Sequence, residues 1–380
     1  MKINNRLNRI GEYGFKNLQK IKNDLLDKGM TIYDFGVGDP DLNININIIE
    51  ALQDALKYDK FNKYPPYEGI LDLKKEIRNY YRNLYDVDLD LDEILITLGA
   101  KEALAYIIPA LCDDDDNIII TNPGYPVYEN ASKIWGVNPF KCPIKEHRNY
   151  LPNLKNICEE ILKSSKAFIV NYPNNPTGAC ANFDFFNEFR SLCNKYDIIA
   201  INDGAYNEIT KVPISILQGD KDKKSVEIGS FSKIFNMTGF RLGYVVGNKY
   251  VIKSLLKIKA NLDSGVFSPI QHSGITALKL GDKYMESIFN IYTTRKTILK
   301  SILNKKGIKY FDGEGTFYLW CLTPLNYTTD EFCQELLNNY GIIVTPGYVF
   351  GYLGYGYFRI SLTLEKELIE KSFSKLKNYN

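Results

Sequence analysis

The chain has 380 residues, enough to bury a substantial core in two domains or in one large domain with a smaller appendage. Its 47 basic and 45 acidic residues leave a formal charge of +2 without a basic stripe, which excludes the pattern of a nucleic-acid binder and favours a small-molecule ligand. Scattered cysteines without a C-x-x-C pair argue against a zinc site, and no run approaches the roughly 18 apolar residues of a membrane span.

The first 45 residues are predicted to form an N-terminal arm and part of a small domain. The arm, residues 1–30, should end in a helix. A short strand from Ile32 then leads into a turn with Gly36 and Gly38, where the missing side chains let the backbone approach a ligand closely. Because the first residues lack an apolar signal segment, we expect a cytoplasmic protein.

Residues 46–270 have the pattern of a large α/β domain. A helix from about Ile46 to Lys57 precedes a proline-stiffened loop, Asn62–Gly69, which carries the polar-tipped Tyr64 and Glu68. Apolar strand-like runs then alternate with helical stretches, which predicts a mostly parallel sheet between helices. The predicted strands are Ile94–Leu98, Asn117–Thr121, Ala167–Asn171, Ile198–Asp203 and Val226–Phe231.

Polar or glycine-rich segments follow each of these strands. Ligands of parallel sheets bind beyond the carboxyl ends of the strands, so these segments form the candidate site. They are Gly99–Lys101, Asn122–Pro126, Asn171–Gly178, Asp203–Tyr206 and Ser230–Lys233.

Residues 271–380 are predicted to form a smaller α+β domain. Long helices are expected before and across the boundary at residue 271. Strands followed by a final helix are expected after it. The predicted helices are Lys249–Asn261 and Pro269–Asn304, and the predicted strands are Thr316–Leu322, Ile342–Thr345 and Tyr357–Leu362.

Lys233 stands among small hydroxyl residues, with Arg241 eight positions later. A lysine near cations and partly out of water loses some preference for its charged form, so its free amine can form a Schiff base. A lysine after serines is by itself more often a solvated surface residue. The residues at the other strand ends are therefore needed to distinguish a Schiff-base lysine from a surface lysine.

Those segments supply the groups that a pyridoxal phosphate enzyme needs besides its lysine. Asp203 is suited to keep the pyridine nitrogen protonated, Asn175 and Tyr206 to bond the phenolic oxygen, and Tyr125 to stack on the ring. The predicted phosphate ligands are Ala100, Lys101, Ser230, Ser232 and Arg241. Each residue alone has an ordinary structural explanation, but their joint occurrence at successive strand ends favours a cofactor site.

With these motifs the chain resembles the fold-type I pyridoxal-phosphate-dependent aminotransferases of class I/II, from Asp34 to about Thr363. The matching motifs are Asn171–Gly178, Asp203-x-x-Tyr206, Ser230-x-Ser232-Lys233 and Arg241-x-Gly243. The resemblance implies that Lys233 is the Schiff-base lysine and proton shuttle. It also implies that Arg359 binds the substrate α-carboxylate, and that Tyr64 reaches the phosphate of the other subunit in a homodimer with shared active sites.

Within that family the chain is most similar to the LL-diaminopimelate aminotransferases. The motifs concerned are Phe35–Asp41, Tyr64–Gly69, Asn122–Pro126, Phe235–Gly239, Asn261–Phe267 and Thr345–Gly347. Three positions depart from the usual pattern, namely Ala100, Gly204 and Phe240. The resemblance implies LL-diaminopimelate/tetrahydrodipicolinate as one substrate pair and glutamate/2-oxoglutarate as the other.

Diaminopimelate carries an ammonium and a carboxylate at its far end. We expect Glu68 to accept from the ammonium, Lys101 and Tyr13 to bind the distal carboxylate, and the Gly38 backbone to bind the near one. An ordinary carboxylate at a helix N-terminus is the alternative for Glu68. The alternative functions are transamination of another amino acid (aspartate, alanine or aromatic), lyase or decarboxylase chemistry, and a non-catalytic cofactor-binding sensor.

Overall fold

The computed structural model describes residues 4–10, 22, 26–27 and 29–379. Tyr13 and most of the helix predicted in residues 1–30 lie outside this part of the chain. Within it the strands are β1 (Tyr33–Asp34), β2 (Ile94–Thr97), β3 (Asn117–Asn122), β4 (Asn138–Pro143), β5 (Ser165–Val170), β6 (Ile199–Asp203), β7 (Ser225–Ser230), β8 (Gly243–Gly247), β9 (Tyr310–Phe311), β10 (Tyr318–Leu322), β11 (Ile342–Ile343), β12 (Thr345–Pro346) and β13 (Tyr357–Ser361). The α-helices are α1 (Ile46–Ala55), α2 (Leu71–Tyr85), α3 (Ala100–Leu111), α4 (Val127–Ile134), α5 (Glu159–Ser164), α6 (Phe183–Lys195), α7 (Lys249–Leu262), α8 (Ser268–Lys279), α9 (Gly281–Lys306), α10 (Thr329–Tyr340) and α11 (Lys366–Phe373).

In the described residues the largest sheet has seven strands in the order β2-β8-β7-β6-β5-β3-β4. Neighbouring strands pair in parallel except at β8, which is antiparallel to both β2 and β7. The predicted α/β class with a mostly parallel sheet is therefore confirmed. Because β3, β5, β6 and β7 run the same way, their carboxyl ends meet at one edge of the sheet.

Strands β4 and β8 were not predicted from the sequence. Strand β4 contains Pro139 and Pro143, which weaken its strand signal, and it lies at an edge where it pairs only with β3. Strand β8 is a five-residue run that begins and ends with glycine, immediately before helix α7. Its pairing with β7, the preceding strand, and with β2, distant in sequence, makes it a strand.

Helices cover both faces of this sheet. Because side chains alternate between the two faces along each strand, each strand contributes to both cores. In β3, Ile118 and Ile120 pack with α3, α4 and α7, whereas Ile119 joins the core on the opposite face. That opposite core continues through α2 and α6 into the C-terminal part of the chain. Each fully buried isoleucine of this kind contributes roughly 1.5–3 kcal/mol to folding.

The C-terminal part carries its own sheet, in the order β12-β13-β10-β9. Strand β1 pairs in parallel with β11, so the segment before residue 45 packs against this part. Both Nη atoms of Arg295 in α9 also donate to the carboxylate of Asp41, at 2.7 and 2.8 Å. These contacts agree with the assignment of the first 45 residues to the smaller domain, whose exact bounds stay a prediction.

Two predicted elements are divided in the structure. The helix expected from Pro269 to Asn304 is broken between α8 and α9, where Gly281 adopts a left-handed conformation with φ of +70°. The strand expected at Ile342–Thr345 contributes to two sheets, since β11 pairs with β1 and β12 pairs with β13. None of the helices in the described residues is long and apolar enough to cross a membrane.

A buried lysine fixes the start of α3 against the loop that follows α7. The Nζ atom of Lys259 lies 3.1 Å from Glu102 Oε2 and 2.9 Å from Asp263 Oδ1, and the lysine side chain is 1% exposed. Both carboxylates also accept from the backbone, Glu102 from Leu98 N and Asp263 from Gly265 N. The lysine thus holds the first turn of α3 and the loop after α7 together.

Replacing Lys259 by methionine should lower the free energy of unfolding by about 3–5 kcal/mol, because it leaves two largely buried carboxylates, 9% and 16% exposed, without their cation. Urea unfolding of both proteins measures the difference. The matched control is Lys163→Met, which removes an exposed lysine paired with Glu159 and should change stability little. Equal stability of Lys259→Met and the parent chain would show that the triad is unimportant for folding.

Candidate active site

A cavity of about 580 Å³ opens at the edge where the parallel strands end. It brings together most of the predicted site residues, namely Gly38, Ala100, Lys101, Tyr125, Asn175, Asp203, Tyr206, Ser230, Ser232, Lys233, Arg241 and Arg359. Its lining also includes residues for which no individual role was predicted, namely Val37, Asp39, Leu104, Asn171, Ala205, Thr238 and Tyr318.

Lys233 extends into this cavity from the loop after β7. Its Nζ atom donates to the carbonyl oxygen of Gly38 at 2.8 Å. The pKa of Lys233 is lowered to about 8, chiefly by burial and to a smaller extent by the charges of Arg359 and Arg241, whereas the Asp39 carboxylate acts in the opposite direction. A larger fraction of this amine than of an exposed lysine is therefore neutral and nucleophilic near neutral pH.

A second buried lysine shows why access matters as much as the pKa. Burial also lowers the pKa of Lys296 to about 8. Its Nζ atom, however, donates to the carbonyl oxygens of Gly313 and Gly315 at 2.8 and 3.0 Å, and the residue does not line the cavity. Of these two perturbed lysines, only Lys233 is available to a ligand.

Asp203, the last residue of β6, provides a buried carboxylate. Its Oδ2 accepts from Tyr128 Oη at 2.7 Å and its Oδ1 from Ala205 N at 3.3 Å. Burial raises the pKa of Asp203 to about 6, and these two hydrogen bonds oppose the shift. A cationic group on a ligand would lower that pKa again by favouring the ionised carboxylate. Tyr128 has a functional contact here, although the sequence indicated only a helix around it.

Arg359 in β13 reaches the cavity from the other sheet. Its Nη1 donates to Asn175 Oδ1 at 2.8 Å and its Nη2 to the carbonyl oxygen of Gly36 at 2.7 Å. The guanidinium carbon lies 4.0 Å from the ring centre of Tyr318 and 4.8 Å from that of Phe350. The buried Nε has no hydrogen-bond partner among the described residues. Because Asn175 gives its oxygen to Arg359, its amide nitrogen is left as the donor for a ligand.

The start of helix α3 forms an anion-binding corner. Gly99, at the N-cap, has φ of +77°, and a Cβ atom there would lie 2.6 Å from Arg241 Nη2. Arg241 Nη1 donates to the carbonyl oxygen of Thr238 at 2.8 Å, which holds the guanidinium beside the helix. Helix N–H groups, an arginine and the Ser230 hydroxyl together make a site for a phosphate-sized anion.

Two predicted residues of the loop Asn62–Gly69 do not line the cavity of their own chain. Tyr64 is 86% exposed. Glu68 has a half-exposed carboxylate 3.3 Å from Lys74 Nζ, and its carbonyl oxygen accepts from Ile96 N. Glu68 therefore does not face the cavity of its own chain, because the loop packs along the edge strand β2, and its contact with a substrate stays a prediction. Tyr13 lies outside the described residues.

No group of three or more His, Cys, Asp or Glu side chains in the described part of the chain could hold a metal ion. The polar groups that line the cavity are amine, carboxylate, guanidinium, amide and hydroxyl groups.

Comparisons with known proteins give a consistent result. Residues 31–376 match the family model described as aminotransferase class I and II. Relatives named LL-diaminopimelate aminotransferase are 39% identical in Aquifex aeolicus, over 99% of this chain and 98% of the relative, and 38% identical in Halothermothrix orenii, over 98% and 97%. The solved structure of substrate-bound BacF from Bacillus subtilis has a TM-score of 0.94 at 31% identity and covers 98% of this chain and 96% of its own.

The pKa of Lys233 predicts how it reacts with an aldehyde. When cofactor-free protein is treated with pyridoxal phosphate and then borohydride, peptide mapping should find the main label on Lys233. The initial labelling rate at Lys233 should rise up to about pH 8 and then level off, because that is where the amine loses its proton. Exposed lysines in the same sample should gain reactivity up to about pH 10.

Two variants complete this experiment. Lys233→Ala should lose the specific label, and Lys296→Ala should keep it. A main label on any other lysine would contradict the assignment.

Proposed function

This chain belongs to the class I and II aminotransferases and is therefore a pyridoxal-phosphate-dependent transaminase, and we propose that its characteristic substrate is LL-diaminopimelate. The reaction we propose pairs LL-diaminopimelate/tetrahydrodipicolinate with glutamate/2-oxoglutarate. The observation that carries this choice is the alignment of nearly the whole chain, at 38–39% identity, with relatives that bear the name of this activity. The predicted fold type I is confirmed by the same family match and by the structural match.

The chemistry of the cavity fits pyridoxal phosphate. Burial of Asp203 raises its pKa, which a pyridinium nitrogen would reverse, and the corner at Gly99 suits a phosphate. The residues that we propose hold the cofactor are Ala100, Lys101, Tyr125, Asn175, Asp203, Tyr206, Ser230, Ser232, Lys233 and Arg241, with Tyr64 of the partner subunit. When bound, the cofactor supplies an aldehyde for an amine and a ring that withdraws electrons from the substrate.

We assign the proton transfer to Lys233. Its lowered pKa means that Nζ can hold or give up a proton near neutral pH without a large change in free energy. A group of this kind can take the proton from the substrate Cα and return it to a neighbouring carbon. The carbonyl oxygen of Gly38, 2.8 Å from Nζ, orients the amine in the cavity.

Asp203 and Tyr128 form the base of the proposed site. The ionised Asp203 carboxylate would keep a pyridine nitrogen protonated, and the hydrogen bond from Tyr128 Oη at 2.7 Å fixes one of its oxygens. The side chain of Asn171 donates to the backbone oxygen of Asp203 at 2.6 Å and steadies the end of β6. Together these contacts hold the carboxylate in one orientation.

Arg359 is proposed to bind the substrate α-carboxylate. An arginine suits this role because its planar donors match the two oxygens of a carboxylate. Asn175, the Gly36 carbonyl and the two aromatic rings restrict the guanidinium, so little further ordering is needed on binding. The backbone near Gly38 is the proposed second contact of the same carboxylate.

The distal groups of diaminopimelate need an anion and donors at the far end of the cavity. Lys101 lines the cavity and is proposed to bind the distal carboxylate together with Tyr13. Glu68 lies on the outside of its own chain, and we propose that the partner subunit of a homodimer contributes it, on the same loop as Tyr64. A cytoplasmic location, expected from the sequence, stays a prediction.

The substrate proposal predicts a specific half-reaction. Purified enzyme loaded with pyridoxal phosphate should convert the cofactor to its amine form when mixed with LL-diaminopimelate or with glutamate, as followed by absorbance. Rapid conversion with aromatic or small neutral amino acids, and none with LL-diaminopimelate, would show that the substrate proposal is wrong. Ammonia and pyruvate as products would indicate lyase chemistry instead.

A variant tests the distal recognition within this prediction. Glu68→Gln should lower kcat/KM for diaminopimelate by a factor that corresponds to about 1.5–3 kcal/mol of lost transition-state stabilisation, the range for a hydrogen bond to a charged group. The same variant should affect kcat/KM for glutamate less. Equal losses for the two amino acids would remove Glu68 from the distal site.

Sharing of the active sites predicts complementation between two defective variants. Lys233→Ala should be inactive, and Tyr64→Ala should be strongly impaired if its hydroxyl serves the partner's site. Unfolding and refolding an equal mixture should restore about a quarter of the parent activity, because random pairing makes about half of the dimers hybrid and each hybrid has one intact site. No recovery in a mixture shown to contain hybrid dimers would contradict shared sites.

A further inference from the structure

Tyr318 occupies a central position in the cavity that the sequence did not indicate. It is the first residue of β10, its side chain is buried, and it lines the cavity. Its hydroxyl lies 2.9 Å from that of Tyr206, within hydrogen-bond distance. Its ring lies against the Arg359 guanidinium, whose carbon is 4.0 Å from the ring centre. One side chain therefore contacts both the proposed carboxylate ligand and a proposed ligand of the cofactor.

The backbone around Tyr318 fixes the position of its hydroxyl. A Cβ atom at Gly38 would lie 1.9 Å from Tyr318 Oη, so only glycine at that position allows the hydroxyl to stand where it does. Tyr318 N donates to Thr316 Oγ1 at 3.1 Å, and β10 is paired with β13 in a register that sets Tyr318 opposite Ser361. The close approach predicted at Gly38 is thus made in part by a side chain of the protein itself.

The direction of the hydrogen bond between the two tyrosines follows from their proton count. Each hydroxyl has a single proton to donate. If Tyr206 donates its proton to the phenolic oxygen of the cofactor, the proton between the two tyrosines has to come from Tyr318. A hydroxyl that accepts a hydrogen bond becomes a stronger donor, because hydrogen bonds in a chain polarise one another.

Building on the proposed function, we propose that Tyr318 is a positioning residue that links the two halves of the site. Through its hydroxyl it strengthens the donation of Tyr206 to the phenolic oxygen of the cofactor. Through its ring it holds the Arg359 guanidinium in place for the substrate carboxylate. These roles use different atoms of the same side chain, so different substitutions separate them.

The hydroxyl role has a spectroscopic signature. The phenolic oxygen of a bound cofactor would carry negative charge, and a donor that takes up part of this charge would weaken its hold on a nearby proton. Removing the Tyr318 hydroxyl should therefore move the pH-dependent change of the cofactor absorbance to higher pH. A shift of about 0.2–0.5 pH unit is expected, since polarisation changes a hydrogen bond by only a fraction of its strength.

The experiment compares absorbance titrations and steady-state kinetics of the loaded enzyme. Tyr318→Phe should shift the titration upward and leave KM for the 2-oxo acid within about twofold, because its ring still stacks on Arg359. Tyr318→Leu should shift the titration and also raise that KM about tenfold, as expected for the loss of a buried cation–π contact. Tyr348→Phe, which removes a hydroxyl bonded to Asp330 away from the cavity, should change neither quantity.

A double variant tests whether Tyr318 acts through Tyr206. Tyr206→Phe should shift the titration upward by more than Tyr318→Phe does, and adding Tyr318→Phe to it should cause no further shift. An unshifted titration in Tyr318→Phe, or fully additive shifts in the double variant, would overturn this inference and leave the transaminase assignment intact. If the cofactor attached to Lys233 in the parent enzyme shows no pH-dependent absorbance band, the proposed role of Lys233 is wrong, and this inference with it.

Discussion

Burial of charged groups at one edge of a parallel sheet is the constraint on which the rest of this site depends. The same loss of water lowers the pKa of the Lys233 amine and raises that of the Asp203 carboxylate. Both pKa values are therefore brought closer to neutral pH. Neither group would be perturbed in this way on an exposed loop. The sheet achieves it because parallel strands bring their carboxyl ends, and the polar residues that follow them, to one place.

The cavity is completed by parts of the chain that are far apart in sequence. Arg359 enters from the C-terminal sheet and bonds both Asn175, after β5, and the Gly36 carbonyl, in the N-terminal segment. That segment is held in turn by the pairing of β1 with β11 and by the ion pair between Arg295 and Asp41. The position of Arg359, and with it the proposed carboxylate site, therefore depends on how the two sheets are packed together. Substitutions at their junction can change substrate binding without contacting the substrate.

Sequence reasoning located the segments whose conformation depends on their immediate neighbours in the chain. The strands that end at the cavity, the hydroxyl residues before Lys233 and the glycine at the start of α3 all have local signals. It missed β8, whose strand state depends on its pairing with β2 and β7, and the break at Gly281, where a continuous apolar pattern crosses two helices. It also missed Tyr128 and Tyr318, because a buried tyrosine in an apolar run has the same pattern whether its hydroxyl has a function or not.

The amino-acid sequence by itself determined the alternation of strands and helices and the set of polar groups at the strand ends, including the lysine proposed to react, because these are properties of short segments. Only the tertiary structure decided which of those groups share one cavity. It separated Lys233 from the equally perturbed Lys296 by access, and it turned Glu68 away from the cavity of its own chain. The reason is that burial and distance arise from packing between segments remote in sequence, and both the pKa of an ionisable group and its reach depend on them.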